Sequence, residues 1–206
     1  MTSLNIDIAK QLHKIEAVKL STENPFTWTS GIKSPIYCDN RLTMSDMDLR
    51  NKISDAFVRM IDEMPEKPDV IAGCATAGIP HAAWLSEKLG LPMVYVRSKA
   101  KSHGKQNQIE GKVEKGQKAI VIEDLISTGG SSIKAAEALQ QEGVHVISVL
   151  AIFTYGLRKA EAQFAGKAIP LKTITSFDTL LDVLEEENHI EEDEKTKLLT
   201  WRNSFQ

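Results

Sequence analysis

The stretch Ala119-Ile-Val-Ile-Glu-Asp-Leu-Ile-Ser-Thr-Gly-Gly-Ser-Ser132 combines residue types whose chemistry asks for a ligand. An apolar run delivers two adjacent carboxylates, Glu123 and Asp124, to its carboxyl end. Leu125 and Ile126 follow, and then a hydroxyl- and glycine-rich turn, Ser127-Thr128-Gly129-Gly130-Ser131, enters helical sequence. Glycines let backbone N–H groups close around an anion, and a helix N-terminus adds favourable dipole charge. The turn therefore suits a phosphate. The carboxylates upstream would repel phosphate, but they accept hydrogen bonds from vicinal hydroxyls, and phosphate beside diol describes a ribose 5-phosphate. The stretch holds neither GxxxxGK[ST] nor GxGxxG, so it is not a Walker A loop or a dinucleotide fingerprint. An ordinary strand-to-helix turn with capping Ser and Thr explains the hydroxyls. It leaves unexplained two charged groups at the end of an apolar strand, which are costly unless they bind something.

A second concentration of chemistry is basic. Between Arg97 and Lys118 there are seven Lys/Arg residues against two Glu, and Arg97-Ser-Lys-Ala-Lys-Ser-His-Gly104 carries Lys101 and His103. Such a segment suits a phosphate-rich small molecule as well as it suits nucleic acid. His13, His81, His145 and His189 lack partners at diagnostic spacing and read as structural. Cys38 and Cys74 form no CxxC or metal-ligand spacing and read as two reduced thiols.

The elements that must position these residues follow from periodicity. Ile8, Leu12 and Ile15 predict a first helix from Asp7 to about Val18. Phe26 to Asp39 reads as two short strands around a turn. Ser45, three residues before Asp48, predicts the cap of a helix whose stripe is Leu49, Ile53, Phe57, Met60 and Met64, stopped by Pro65. Thereafter strands alternate with helices: strands at Val70–Gly73, Met93–Val96, Ala119–Ile122 and Val144–Phe153, helices at Ile79–Leu89 and Ser131–Gln141. That alternation specifies an α/β fold, a parallel sheet with helices on its faces. Ligands in such sheets sit at the carboxyl ends of the strands, which points to the loops Gly73–Pro80 and Glu123–Ser131. The acidic run Glu185–Glu194 reads as a solvated helix face, and Leu198, Leu199 and Trp201 suggest a final helix packing back on the body.

The bulk figures bound the answer. With 206 residues, 42% hydrophobic and 26% charged, the chain has an ordinary globular composition and no need of a second independent domain. A formal charge of −3 argues against coating nucleic acid. Met1–Lys10 has no signal-peptide pattern, and the longest apolar run, Val144–Phe153, is far short of the ~20 residues of a membrane helix. The expectation is a cytoplasmic protein with no membrane or nucleic-acid partner.

These blocks carry a resemblance. Glu123–Ser131 resembles the PRPP-binding motif of the type I phosphoribosyltransferases, where PRPP is phosphoribosyl pyrophosphate. Phe26–Ser34, Ser34-Pro35 and Asp39 resemble the N-terminal hood of the orotate branch. Arg97–Gly104 is similar to its mobile catalytic loop, and Gly73–Pro80 to its pyrophosphate loop. The resemblance implies one phosphoribosyltransferase domain over 1–206, with the hood mainly from 1–45. It implies transfer of the phosphoribosyl group from PRPP to orotate. A purine phosphoribosyltransferase or a non-enzymatic PRPP sensor on the same fold are the competing readings. The Lys-x-His lid disfavours the first. The lack of a helix-turn-helix or basic RNA-binding face disfavours the second.

The resemblance also implies roles. Glu123 and Asp124 would hold the ribose hydroxyls, and Leu125, Ile126, Ser127, Thr128, Gly129, Gly130 and Ser131 would complete the PRPP loop. Arg97, Lys101 and His103 would meet the pyrophosphate, with Lys101, His103 and Asp124 as the catalytic set. Ser127 and Tyr155 would face orotate, with Arg41 or Arg158 as the cation for its carboxylate. Mg²⁺ would enter bound to PRPP rather than in a protein cage. The lid would serve the neighbouring subunit of a homodimer. Some members have lysine where this chain has Thr29, Ala77 and Ser98.

Overall fold

The computed structural model describes residues 3–22, 24–27, 33–98 and 108–204. Helix α1 spans Ser3–Lys14, and strand β1, Val18–Leu20, follows it. The helix ends four residues earlier than periodicity predicts, because Glu16 turns the chain at φ +59° and frees Val18 to start a strand. Next come β2 (Phe26–Thr27), β3 (Lys33–Ser34) and β4 (Ile36–Cys38). β2 pairs antiparallel with β3, and β4 with β1. The sequence predicts two short strands within Phe26–Asp39; the described residues form three there, the third paired with β1, whose Val18 periodicity assigns to the first helix. A 3-10 turn at Asn40–Ser45 leads into α2, Met47–Asp62. Asp46, not Ser45, caps α2, accepting from the Leu49 amide, since Ser45 is still inside the 3-10 turn.

The rest of the chain builds the sheet. β5 is Val70–Cys74, α3 Gly78–Leu89, β6 Met93–Val96, β7 Ile109–Glu110 and β8 Lys118–Ile126. Then follow α4 (Gly130–Gln141), β9 (His145–Thr154), α5 (Arg158–Gly166), β10 (Leu171–Ser176), α6 (Phe177–Glu186) and α7 (Glu192–Ser204). Six strands lie in the order β10-β9-β8-β5-β6-β7, all parallel except β7, which runs antiparallel to β6. The predicted parallel sheet is present. The polar stretch after Arg97 is shorter than its sequence implies, because Ile109 and Glu110 return to the sheet as β7.

Alternation along the central strands divides the core between two faces. Ile71, Ile120 and Ile122 pack with α1, α2, α3 and α6, whereas Val70, Ala72, Ala119 and Val121 pack with α4 and α5. Strands covered on both faces read as continuous apolar runs, which is why these were recognisable. His81 is buried, and burial pushes its imidazole down to about 4, consistent with a neutral structural histidine. Leu198 is fully buried, as expected of a final helix packed on the body. No described helix is long and apolar enough to cross a membrane.

Candidate active site

β8 is longer than its apolar run. Its pairing with β5 stops at Ile122, while its pairing with β9 continues to Ile126. Glu123 and Asp124 therefore lie within the strand, at the point where it has lost one neighbour and the sheet opens. A cavity of about 520 Å³ occupies that opening, lined by Cys38, Asp39 and Arg41, by Ala75, Thr76 and Ala77, and by Glu123, Asp124, Leu125 and Ser131. The peptide between Ala75 and Thr76 is cis. Residues from the hood, the β5–α3 loop and the β8–α4 segment thus meet in one place, the carboxyl end of the sheet.

The acidic pair is less exposed than a strand-end position suggests. Glu123 is 5% exposed and Asp124 is half-buried. Ser131 Oγ donates to Glu123 Oε2 at 3.0 Å, and the Asp124 amide donates to Glu123 Oε1 at 3.1 Å. The Cys74 thiol also bonds to this carboxyl, and burial raises the thiol far above its usual range. Burial first, and then the Asp124 charge, push the Glu123 carboxyl well above the usual carboxylate range; burial raises Asp124 too. Such a pair is poised for a ligand that donates hydrogen bonds and unsuited to an anion. Asn40 Nδ2 donates to the Asp124 carbonyl at 2.7 Å and fixes the strand here. This residue has no distinguishing mark in the sequence.

The turn after β8 has anion-binding geometry. Gly129 adopts φ +80°, and a Cβ there would lie 2.6 Å from the Phe164 ring, so glycine is required for both conformation and space. Neither α4, at Gly129, nor α3, at Ala77, receives a side-chain cap from its N-cap residue. Such uncapped termini leave amides for a ligand at the cavity margins, although the Ile79 amide of α3 already donates to the Thr76 carbonyl at 3.2 Å. Ala77 brings no side-chain charge, so at this position the α3 terminus is the electropositive group.

The other predicted residues fall as follows. Arg97 follows β6 directly; its amide bonds to the Gln108 carbonyl at 2.8 Å, and its guanidinium lies 3.6 Å from Glu110. The segment carrying Lys101 and His103, like Thr29, lies outside the described residues. Tyr155 is buried under the cavity rather than lining it, and its phenol is bonded to the Cys38 backbone. Of the two candidate cations, Arg41 lines the cavity, gripping Asp39 at 2.5 and 2.8 Å, whereas Arg158 is exposed at the start of α5. Among the described residues no group of three His, Cys, Asp or Glu side chains is arranged to hold a metal. Asp39, Glu123 and Asp124 are hard oxygen donors at one cavity, which fits Mg²⁺ carried mainly by substrate oxygens.

A sheet whose carboxyl end joins an acidic pair to a glycine-rich phosphate turn defines a phosphoribosyltransferase, and residues 46–176 match the family model described as "Phosphoribosyl transferase domain". The orotate phosphoribosyltransferase of Oceanobacillus iheyensis is 57% identical over 202 residues, 98% of this chain and 100% of its own. The chain belongs to the orotate phosphoribosyltransferase family. Among solved structures, UMP synthase from Leishmania donovani matches with a TM-score of 0.82 at 25% identity, covering 97% of this chain and 42% of that one. Orotate phosphoribosyltransferase from Aeropyrum pernix matches with a TM-score of 0.75 at 29% identity, covering 89% of this chain and 99% of its own.

Proposed function

We propose that the chain transfers the 5-phosphoribosyl group of PRPP to orotate, giving orotidine 5′-monophosphate and pyrophosphate in pyrimidine nucleotide synthesis. The observation that carries the reading is the cavity where the acidic pair Glu123 and Asp124 lies between two helix N-termini without side-chain caps. Glu123 and Asp124 accept from the ribose hydroxyls, and the Ser127–Ser131 turn holds the 5-phosphate on the α4 terminus. The pyrophosphate lies toward Ala75–Ala77 and the α3 terminus, met by Arg97, Lys101 and His103. Orotate enters between the ribose and the hood, where Ser127 and the Tyr155 loop form the floor and Arg41 supplies the cation for its carboxylate. Residues 1–206 act as one domain, with 1–45 contributing the hood.

Breaking the C1–O bond leaves positive charge on the ribose and negative charge on the departing pyrophosphate. Fixed cations and helix termini aimed at the leaving group stabilise that charge as it develops. Mg²⁺, entering on PRPP, supplies further neutralisation of the phosphate oxygens. Orotate attacks through N1 as an anion, so the protein needs no strong general base. A lid like the family's mobile catalytic loop, which Arg97–Gly104 resembles, would exclude water that otherwise captures the ribosyl cation. In a homodimer this lid serves the neighbouring site. The test is orotate consumption with PRPP and Mg²⁺, run beside adenine, hypoxanthine and uracil. Turnover restricted to orotate is expected, and turnover of a purine base instead would overturn the assignment.

A further inference from the structure

The terminal helix α7 lies outside the residues that match the shared family domain, and Leu198 is the residue it buries fully. Leu199 and Trp201 also pack against the core, and separate polar grips add to that apolar contact. Lys195 pairs with Asp182 and Glu185 of α6 at 2.9 and 2.5 Å. Thr22, after β1, donates to Glu194 at 3.0 Å. Two neighbours at its end, Trp201 and Arg202, reach the segments that form the acceptor side.

Arg202 makes a two-pronged pair with Asp178, at 2.7 and 2.9 Å, and its side chain is 14% exposed. Its guanidinium also lies against Gly156, where a Cβ would come within 2.8 Å of Nη1 and where φ is +67°. The Gly156 amide donates to Thr154 Oγ1 at 3.1 Å, and that hydroxyl donates to the Ile126 carbonyl at 3.2 Å. The Tyr155 amide donates to the same carbonyl at 3.2 Å. The turn carrying Tyr155 is thus fastened to β8 on one side and covered by Arg202 on the other. Trp201 Nε1 donates to the Lys33 carbonyl of β3 at 3.2 Å. From there Ser34 Oγ donates to the Ile36 carbonyl at 2.7 Å, bracing the turn into β4. β4 ends at Cys38, which lines the cavity and whose backbone bonds the Tyr155 phenol. The two grips therefore converge on one contact, Cys38 with Tyr155, at the wall shared by hood and sheet.

We propose that Arg202 is a positioning residue for the acceptor base, acting with Trp201 to fix the Tyr155–Leu157 turn and the hood against each other. This rests on the functional reading above. The PRPP turn Ser127–Ser131 has its own supports, Phe164 and Glu123, so loss of the grip acts on orotate and spares PRPP.

The experiment measures KM for orotate, KM for PRPP, kcat and the thermal midpoint for wild type, Arg202→Ala, Arg202→Lys and Trp201→Phe. Arg202→Ala is expected to raise KM for orotate about tenfold while KM for PRPP stays within about twofold. Arg202→Lys keeps the charge facing Asp178 and recovers part of the loss. Trp201→Phe keeps the ring and removes the N–H donor; it shifts KM for orotate in the same direction by about threefold with an unchanged midpoint. Equal rises in both KM values, or a lowered midpoint with both KM values unchanged, would overturn the proposal. If Arg202→Ala fails to fold, the other two variants decide by the same criterion. A wild-type chain that turns over another base and not orotate would overturn the functional reading, and this proposal with it.

Discussion

Glu123 shows how one side chain sets function against stability. The folded protein raises its affinity for a proton, whereas the unfolded chain returns it to about 4.3. Between those values the folded state binds more protons than the unfolded one, so stability falls as pH rises through the window. Ligand-free protein is expected to melt at progressively lower temperature from about pH 5 to pH 8, and Glu123→Gln should flatten that slope. At the upper end the variant should be more stable than wild type by about 1–3 kcal/mol, because a neutral amide replaces a charge held in a buried site. A variant melting curve that tracks wild type across this range would remove Glu123 as the cause. The function responds in the opposite sense. Glu123→Gln combined with Asp124→Asn should raise KM for PRPP by at least about a hundredfold with the fold intact, since both acceptors for the ribose diol are weakened. Wild-type PRPP affinity in the double variant, measured by calorimetry, would show that the diol lies elsewhere.

The turn between β8 and α4 makes the corresponding argument at the level of the element. Gly129 and Gly130 are adjacent, but only the first has a positive φ and the Phe164 ring against it; a Cβ at Gly130 meets nothing within 4 Å. Gly129→Ala is therefore expected to cost about 1–3 kcal/mol in an unfolding titration and to raise KM for PRPP. Gly130→Ala should leave stability unchanged or slightly higher, so any loss of PRPP use there reports close approach of the backbone to phosphate. Equal destabilisation by both changes would mean that the Phe164 contact does not set the turn.

Elements of this kind were legible because apolar runs and glycine punctuation are local. Met93–Val96 matches its strand to the residue, and Val70, Gly78–Leu89 and Gly130–Gln141 fall within one residue of expectation. β8 was cut short because Glu123 and Asp124 look like the end of an apolar run, while the strand continues wherever β9 still pairs with it. The stretch from Arg158 to Leu184 yielded no elements, although Ser176 caps α6 by accepting from the Thr179 amide. The hydroxyl- and glycine-rich turn after β8 was readable for the same local reason. Asn40 on the Asp124 carbonyl, Cys74 on Glu123 and Trp201 on Lys33 were not, because periodicity carries no information about partners distant in the chain.

At the scale of the whole molecule the question is where the lid acts. Arg97 and Gln108 pair through their backbones, and Ile109 starts β7, so the segment between them leaves and re-enters the sheet at one edge. That edge is β6–β7, and the cavity lies on the other side of β6, at β5 and β8. Whether the proposed lid covers the site of its own chain or that of a partner subunit is open to a direct test. Lys101→Ala should lower kcat more than it weakens orotate binding, because a cation at the leaving pyrophosphate acts most strongly as charge develops. If the lid works in trans, a mixed dimer with Lys101→Ala in one subunit and Asp124→Asn in the other contains one site with both an intact lid and an intact acidic pair. Its activity should recover to about half that of wild type under twofold symmetry, although each variant alone is nearly inactive. Mixing the variants under subunit exchange, with mixed dimers counted by native mass spectrometry, measures this directly. Mixed dimers without recovered activity would place each lid over its own chain.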